Sequence, residues 1–219
     1  MKTWLKERGL SLTLLALFAV FLCGMAVAGW RVAGEDAAEH GQPPPGFAEY
    51  LASGDFVEAT FENWESEFLQ MGAYVVLTIF LFQKGSSESK PIGEPQEVDE
   101  DPRTRAGDPH APWPVRRGGV VLALYENSLI ILFAVLFVGS FVAHLVGGAA
   151  SYSEEQINHG HSGVTPLEYL ATSQFWFESL QNWQSEFLAV AVLVAASVYL
   201  RQRGSPESKP VAAPHNQTG

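Results

Sequence analysis

Two glutamates beside long apolar segments are the residues best placed for chemistry. Glu67 follows Asn63 by four residues and Glu186 follows Asn182 by four, so on a helix each pair shares one face. Each carboxylate is expected just inside the membrane edge, where it is costly unless it is paired, hydrated or protonated. Two converging carboxylates would bind a small cation or relay a proton. The predicted polar site comprises Asn63, Ser66, Glu67, Asn182, Ser185 and Glu186.

The same residues also fit a purely structural role. A glutamate this close to the membrane edge still reaches water, and it can fix the start of its helix by bonding loop backbone, Ser66 or Ser185. Four tryptophans lie near the predicted outer boundary, where aromatic side chains anchor helices at the membrane interface: Trp30, Trp64, Trp176 and Trp183. Both interpretations stay open on the residues alone.

Other chemistries find little support in the sequence. A single cysteine excludes an internal disulfide and a Cys-based zinc or iron–sulfur site. His40, His159 and His161 occur in acidic segments without a specific metal-ligand spacing. His144 is the one histidine in an apolar segment, so a bis-histidine haem has no second ligand. We expect no enzymatic activity, no cofactor and no metal site.

Four apolar segments must position these residues. A bilayer core takes about 20 helical residues to cross, and the sequence predicts spans at about 10–30, 62–83, 127–148 and 181–202. The second and fourth apolar runs are short, so each must take the preceding Asn-Trp-x-Ser-Glu turn into the membrane edge. The predicted fold class is all-α, a polytopic membrane protein with four transmembrane helices.

The two halves of the chain align without a gap at an offset of 119 residues. Asn63-Trp64 recurs as Asn182-Trp183, and Gly85-Ser86 recurs as Gly204-Ser205. Each half has two spans, so both enter the membrane with the same topology, as tandem parallel helical hairpins. The predicted domains are repeats at 1–92 and 118–210, a disordered acidic Pro-rich cytoplasmic linker at 93–117, and a disordered tail at 211–219.

Charge predicts the orientation and excludes one class of partner. The chain has 13 basic and 24 acidic residues, a formal net charge of -11, which argues against nucleic-acid binding. Every base except Arg31 precedes the first span, lies between Lys84 and Arg117, or follows the last span. Because Lys and Arg are enriched on cytoplasmic flanks, we expect a multi-pass inner-membrane protein with both termini in the cytoplasm.

The first span has an alternative interpretation as a cleavable signal peptide. The bases at Lys2 to Arg8, the apolar run and Ala26-Val27-Ala28 together resemble one, and cleavage would leave three spans. Two observations favour retention. The apolar run is long for a signal peptide, and it aligns with an internal span, as Gly29 with Gly148 shows.

The motifs carry a family resemblance. N-W-x-S-E-F-L occurs at 63–69 and 182–188, and G-S-x-E-S-K occurs at 85–90 and 204–209. On these motifs the chain resembles a bacterial family of small integral membrane proteins catalogued as a domain of unknown function. Glu-Asn-Ser-Leu at 126–129 is similar to that family's first-span entry, and the first half departs from it with Glu-Arg-Gly-Leu at 7–10. The resemblance implies a membrane location and brings no reaction or substrate.

These observations predict a structural or accessory inner-membrane protein. The alternative is a proton or small-cation channel or transporter that uses Glu67 and Glu186 at the outer membrane edge. The lipid bilayer is the expected partner, and a partner membrane protein or a second copy of the chain is left open.

Overall fold

The computed structural model describes residues 2–218, and the fold in that range is helical with no β-strand. This confirms the all-α prediction. The α-helices are α1 (Lys2–Glu39), α2 (Phe47–Leu51), α3 (Gly54–Phe80), α4 (Trp113–Arg117), α5 (Gly119–Glu126), α6 (Ser128–Asn158), α7 (Pro166–Leu170) and α8 (Ser173–Tyr199). The linker adds two short 3₁₀ helices, Glu97–Asp99 and Pro102–Arg105.

Two helices are long and apolar enough to cross a membrane by length and composition, Thr3–Glu39 and Ser128–Asn158. The rest of the chain buries only 6% and 11% of their most apolar windows. A core helix of a soluble protein would be mostly buried, so neither helix is the core helix of such a fold within this chain. Spans through α3 and α8 remain predictions from the sequence.

The helices that contain the predicted second and fourth spans begin before those spans. α3 begins at Gly54 and α8 at Ser173, whereas the spans were predicted from about 62 and 181. The residue before each helix, Ser53 or Thr172, accepts a hydrogen bond at its hydroxyl from the backbone N–H three residues later, at 3.3 and 3.2 Å. These caps start each helix in the polar segment, where hydropathy gives no signal.

The chain divides into two compact units. The first comprises Met1–Phe61 and Ala143–Phe175, and the second comprises Glu62–Val142 and Trp176–Gly219. α3, α6 and α8 each contribute residues to both, because the boundaries fall within these helices.

In the first unit, two tyrosines lie over glycines. A Cβ on Gly29 of α1 would stand 1.9 Å from the Tyr50 hydroxyl, and one on Gly148 of α6 would stand 2.6 Å from a ring carbon of Tyr169. Both tyrosines are buried. Glycine at these positions therefore allows the short helices α2 and α7 to seat their tyrosines on α1 and α6.

In the second unit, the segments after α3 and α8 fold into closely similar turns. Gly85 and Gly204 both have φ of 87°, a left-handed conformation that glycine adopts without strain. The backbone N–H of Gln83 donates to Ser89 Oγ at 2.9 Å, and that of Gln202 donates to Ser208 Oγ at 2.9 Å. The G-S-x-E-S-K motif thus specifies a helix-terminating turn.

Candidate functional site

The second unit brings the two predicted carboxylates into electrostatic reach. Glu67 lies on α3 and Glu186 on α8, and the charge of Glu186 acts on the Glu67 carboxyl. Glu67 is exposed and Glu186 is half-buried. The functional site proposed for these two carboxylates stays a prediction.

The predicted serines bond to their own helices. Ser66 Oγ donates to the carbonyl of Asn63 at 2.8 Å, and Ser185 Oγ donates to that of Asn182 at 2.8 Å. A hydroxyl that returns to a carbonyl one turn back is a local helix contact. Each serine hydroxyl thus stabilises the local backbone of its own helix.

Asn182 is directed at a glutamate that the sequence had not singled out. Its side-chain amide donates to Glu62 Oε1 and to the backbone carbonyl of Glu178, the latter at 3.3 Å. Gln181 donates to the same Glu62 oxygen at 3.4 Å. Glu62 therefore joins the start of the motif on α8 to α3.

A buried carboxylate forms the next link between these helices. Glu65 is fully buried, and its Oε1 accepts a hydrogen bond of 3.0 Å from the indole N–H of Trp183. A buried charge needs such donors, because its desolvation is otherwise costly. A difference between the two halves could have identified these residues. Glu62 and Glu65 align with Gln181 and Gln184, so only the first half carries acidic side chains at these positions.

The four predicted interface tryptophans have defined surroundings. Trp30 is 36% exposed and donates its indole N–H to the carbonyl of Pro45 at 2.8 Å. Trp176 is 41% exposed and packs edge-on against Trp183, with ring centroids 6.4 Å apart. Trp64 is half-buried. A part-exposed indole with a satisfied N–H suits an interface, and the anchoring role stays a prediction.

The first unit contains a buried polar and aromatic cluster that the sequence analysis missed. Tyr169 donates its hydroxyl hydrogen bond to Glu58 Oε1 at 3.2 Å. His144 is fully buried and stacks on Phe175 at 4.9 Å, and Phe175 packs edge-on against Tyr169 at 5.5 Å. No signal in the sequence identifies this cluster, because its members come from α3, α6, α7 and α8 and share no local pattern.

The loop histidines lie at helix ends. His40 Nδ1 is 3.0 Å from the carbonyl oxygen of Asp36, and His159 Nδ1 is 2.9 Å from that of Glu155. Both contacts join a side chain to a carbonyl one turn back. This arrangement fits exposed residues that directly follow α1 and α6.

These features define a helical protein in which two helices are able to cross a membrane. The chain matches, over residues 1–219, the family described as a domain of unknown function, DUF6766, and it belongs to that family. The predicted membership in a family of unknown function is confirmed at this level. No curated protein and no solved structure matches the chain.

Proposed function

We propose that the chain is a four-span inner-membrane protein of two tandem hairpin repeats, with a structural or accessory role and no catalytic one. The observation that carries the architecture is the coincidence of helix bounds at the 119-residue offset. α7 and α8 begin and end 119 residues after α2 and α3, and α6 ends 119 residues after α1. Unrelated segments would not share five such boundaries, so the coincidence supports a duplicated unit.

The contacts of the Asn-Trp-x-Ser-Glu turns support the structural role. Glu62 and Glu65 on α3 accept hydrogen bonds from Asn182 and Trp183 on α8. Polar groups that bond each other across two helices stabilise the helix pair, and such bonds are a common means of association in membranes. The proposed role of the two turns is to join α3 to α8 at the outer membrane edge, in contact with lipid.

A labelling experiment tests the topology. Cys23 is replaced by serine, and one cysteine is introduced in each of three variants, Ala38→Cys, Gly107→Cys or Ser162→Cys. Four spans with both termini inside predict that a membrane-impermeant maleimide labels 38 and 162 on intact spheroplasts and labels 107 only after permeabilisation. With two spans, 38 and 107 would instead lie on the same side and 162 on the other.

A double-mutant cycle tests the structural role. Trp183→Phe, Glu65→Gln and the double variant are compared in detergent by the free energy of unfolding. A hydrogen bond to a charged group contributes about 1.5–3 kcal/mol, so we expect a coupling energy of at least about 1 kcal/mol. Trp113→Phe, combined with Glu65→Gln in the same way, is the control, because Trp113 lies on α4 and is 60% exposed. Additive effects at 65 and 183 would contradict the proposed role.

A second function, conduction of protons or small cations, is favoured by one observation, the placement of Glu67 on α3 and Glu186 on α8 within one compact unit. Two carboxylates that share a hydrated site can hold one proton between them. Flux into liposomes tests this: the combined Glu67→Gln and Glu186→Gln variant should abolish it, and Glu39→Gln should not. If no flux is seen, or if flux survives the double substitution, conduction is ruled out and only the structural role remains.

A further inference from the structure

A cavity of about 640 Å³ lies within the first unit, mostly among residues between the predicted spans. Its walls combine one face of α1 with the Pro43–Pro45 segment, α2, the first turns of α3 and the end of α6. The volume falls within the roughly 300–1,000 Å³ that small organic ligands occupy in proteins. Glu62, Glu65 and Glu67 are not among its lining residues.

The charged side chains that line this cavity are all acidic. Its lining includes four carboxylates, those of Asp36, Glu49, Asp55 and Glu154, and no Lys or Arg among the described residues. Glu49 accepts a hydrogen bond from the Gly46 N–H at 3.1 Å, and Asp36 lies 3.6 Å from His40. Carboxylates that share one concave surface concentrate a negative potential, which attracts cations.

A buried tyrosine supplies the second observation. Tyr50 lines the cavity and is only 5% exposed, and no group in residues 2–218 forms a hydrogen bond with its hydroxyl. The aligned Tyr169 differs, because its hydroxyl donates to Glu58. The residue aligned with Glu58 is Phe177, which offers no acceptor. The Tyr50 hydroxyl therefore remains available to a ligand in the cavity.

The protonation state of Tyr50 suits a cationic ligand. Burial, and then the charge of Asp55, raise the pKa of Tyr50 above its ordinary value of 10.0. The hydroxyl therefore stays neutral, and its oxygen can accept a hydrogen bond from an ammonium group.

We propose that this cavity binds an organic cation with two or more ammonium groups, of the polyamine class. The carboxylates of Asp36, Asp55 and Glu154 would each pair with an ammonium group, and the Tyr50 hydroxyl would accept from one of them. The methylene stem fits against the apolar wall formed by Val32, Ala33 and the prolines. A cavity of this volume is far larger than the oxygen shell of a single metal ion, which favours the organic class.

The test is calorimetric titration of the full chain in detergent with spermidine, with butylamine and Mg²⁺ as comparison probes. We expect saturable spermidine binding that weakens as salt is raised, since opposite charges in water-accessible sites are screened. Asp55→Asn should weaken it about tenfold, and Tyr50→Phe, which keeps the ring packed on Phe56, about threefold.

The repeat offers a matched control. Glu155 is aligned with Asp36 but does not line the cavity, so Asp36→Asn should weaken binding about tenfold and Glu155→Gln should leave it unchanged. Equal losses in these two variants would show diffuse surface attraction and overturn the proposal. It would also be overturned by the absence of saturable binding, by butylamine binding as tightly as spermidine, or by Mg²⁺ binding that shows the same variant pattern at lower concentration. Far-ultraviolet circular dichroism checks that each variant is folded.

Discussion

Ser86 and Ser197 share a hydrogen bond of 2.7 Å between their hydroxyls, although they are 111 residues apart in the chain. Ser86 is fully buried in the turn after α3, and Ser197 on α8 is 7% exposed. Ser86 also accepts from the backbone N–H of Glu88 at 3.0 Å. One hydroxyl therefore caps a turn and joins that turn to the neighbouring helix.

The aligned serine allows the two roles to be separated. Ser205 caps its own turn by accepting from the Glu207 N–H at 3.2 Å. We expect Ser205→Ala to lower the free energy of unfolding by about 0.5 kcal/mol and Ser86→Ala by about 1–2 kcal/mol, because the latter also breaks the bond to Ser197. Chemical unfolding in detergent, followed by circular dichroism, measures both. Equal losses would mean that the bond to Ser197 contributes nothing.

The glycine beneath Tyr169 gives a prediction with a matched control on the same helix. A Cβ on Gly148 would lie 2.6–2.9 Å from three atoms of Tyr169, whereas one on Gly139 would meet nothing within 4 Å. Gly148→Ala should therefore lower the free energy of unfolding by about 1–3 kcal/mol. Gly139→Ala should leave it unchanged or raise it by up to about 1 kcal/mol. If both variants shift the unfolding midpoint alike, Tyr169 does not rest on Gly148.

The elements that the sequence predicted well are those with a local signal. Long apolar runs mark α1 and α6, the helices that contain the first and third predicted spans. Because the halves align, a helix that begins at Phe47 implies a second helix that begins at Pro166. α2 and α7 do begin at these two residues. Each of these inferences needs only neighbouring residues or the offset.

The partners of the polar residues could not be predicted, because these contacts do not join residues that are aligned at the 119-residue offset. Ser86 bonds Ser197, whose aligned residue is Thr78 and not a member of the motif. Glu65 bonds Trp183, which aligns with the preceding residue, Trp64. Helical spacing shows which residues share a face, but the rotation and register of the neighbouring helix decide which group each one meets. Such contacts are properties of the packing.

The cap of α7 gives a pH-dependent prediction. Glu168 accepts hydrogen bonds from the backbone N–H of Thr165 at 2.7 Å and from its hydroxyl at 2.8 Å, and these bonds hold the pKa of Glu168 below its ordinary value of 4.5. Because the folded pKa is the lower one, the cap stabilises α7 above pH 4.5 and is lost as the pH falls through the folded pKa.

Carbon-13 NMR of the Glu168 carboxyl measures this effect directly. Thr165→Gly introduces the residue found at the aligned position 46 and removes the hydroxyl donor. The midpoint of the Glu168 titration should then rise toward 4.5. A midpoint that does not move would show that the hydroxyl does not stabilise the carboxylate.

The last prediction concerns the tail, which the composition of residues 211–219 predicts to be disordered. Lys209 is 2% exposed, and its Nζ donates to the backbone carbonyls of Pro214, His215 and Gln217 at 3.3, 3.1 and 2.8 Å. These bonds would order the tail despite its poor hydrophobicity, because an ammonium group presents three donors at once.

Hydrogen exchange at Gly85 decides between order and disorder in the tail. Its backbone N–H donates to Thr218 Oγ1 at 2.9 Å, so the amide is protected only while the tail is in place. We expect Lys209→Met, or removal of residues 212–219, to speed exchange at Gly85 about tenfold or more. Lys90→Met is the control, because Lys90 aligns with Lys209 but pairs with Asp99 at 2.7 Å. If Gly85 exchanges equally fast in the intact chain and in all three variants, the tail is disordered, as its composition predicts.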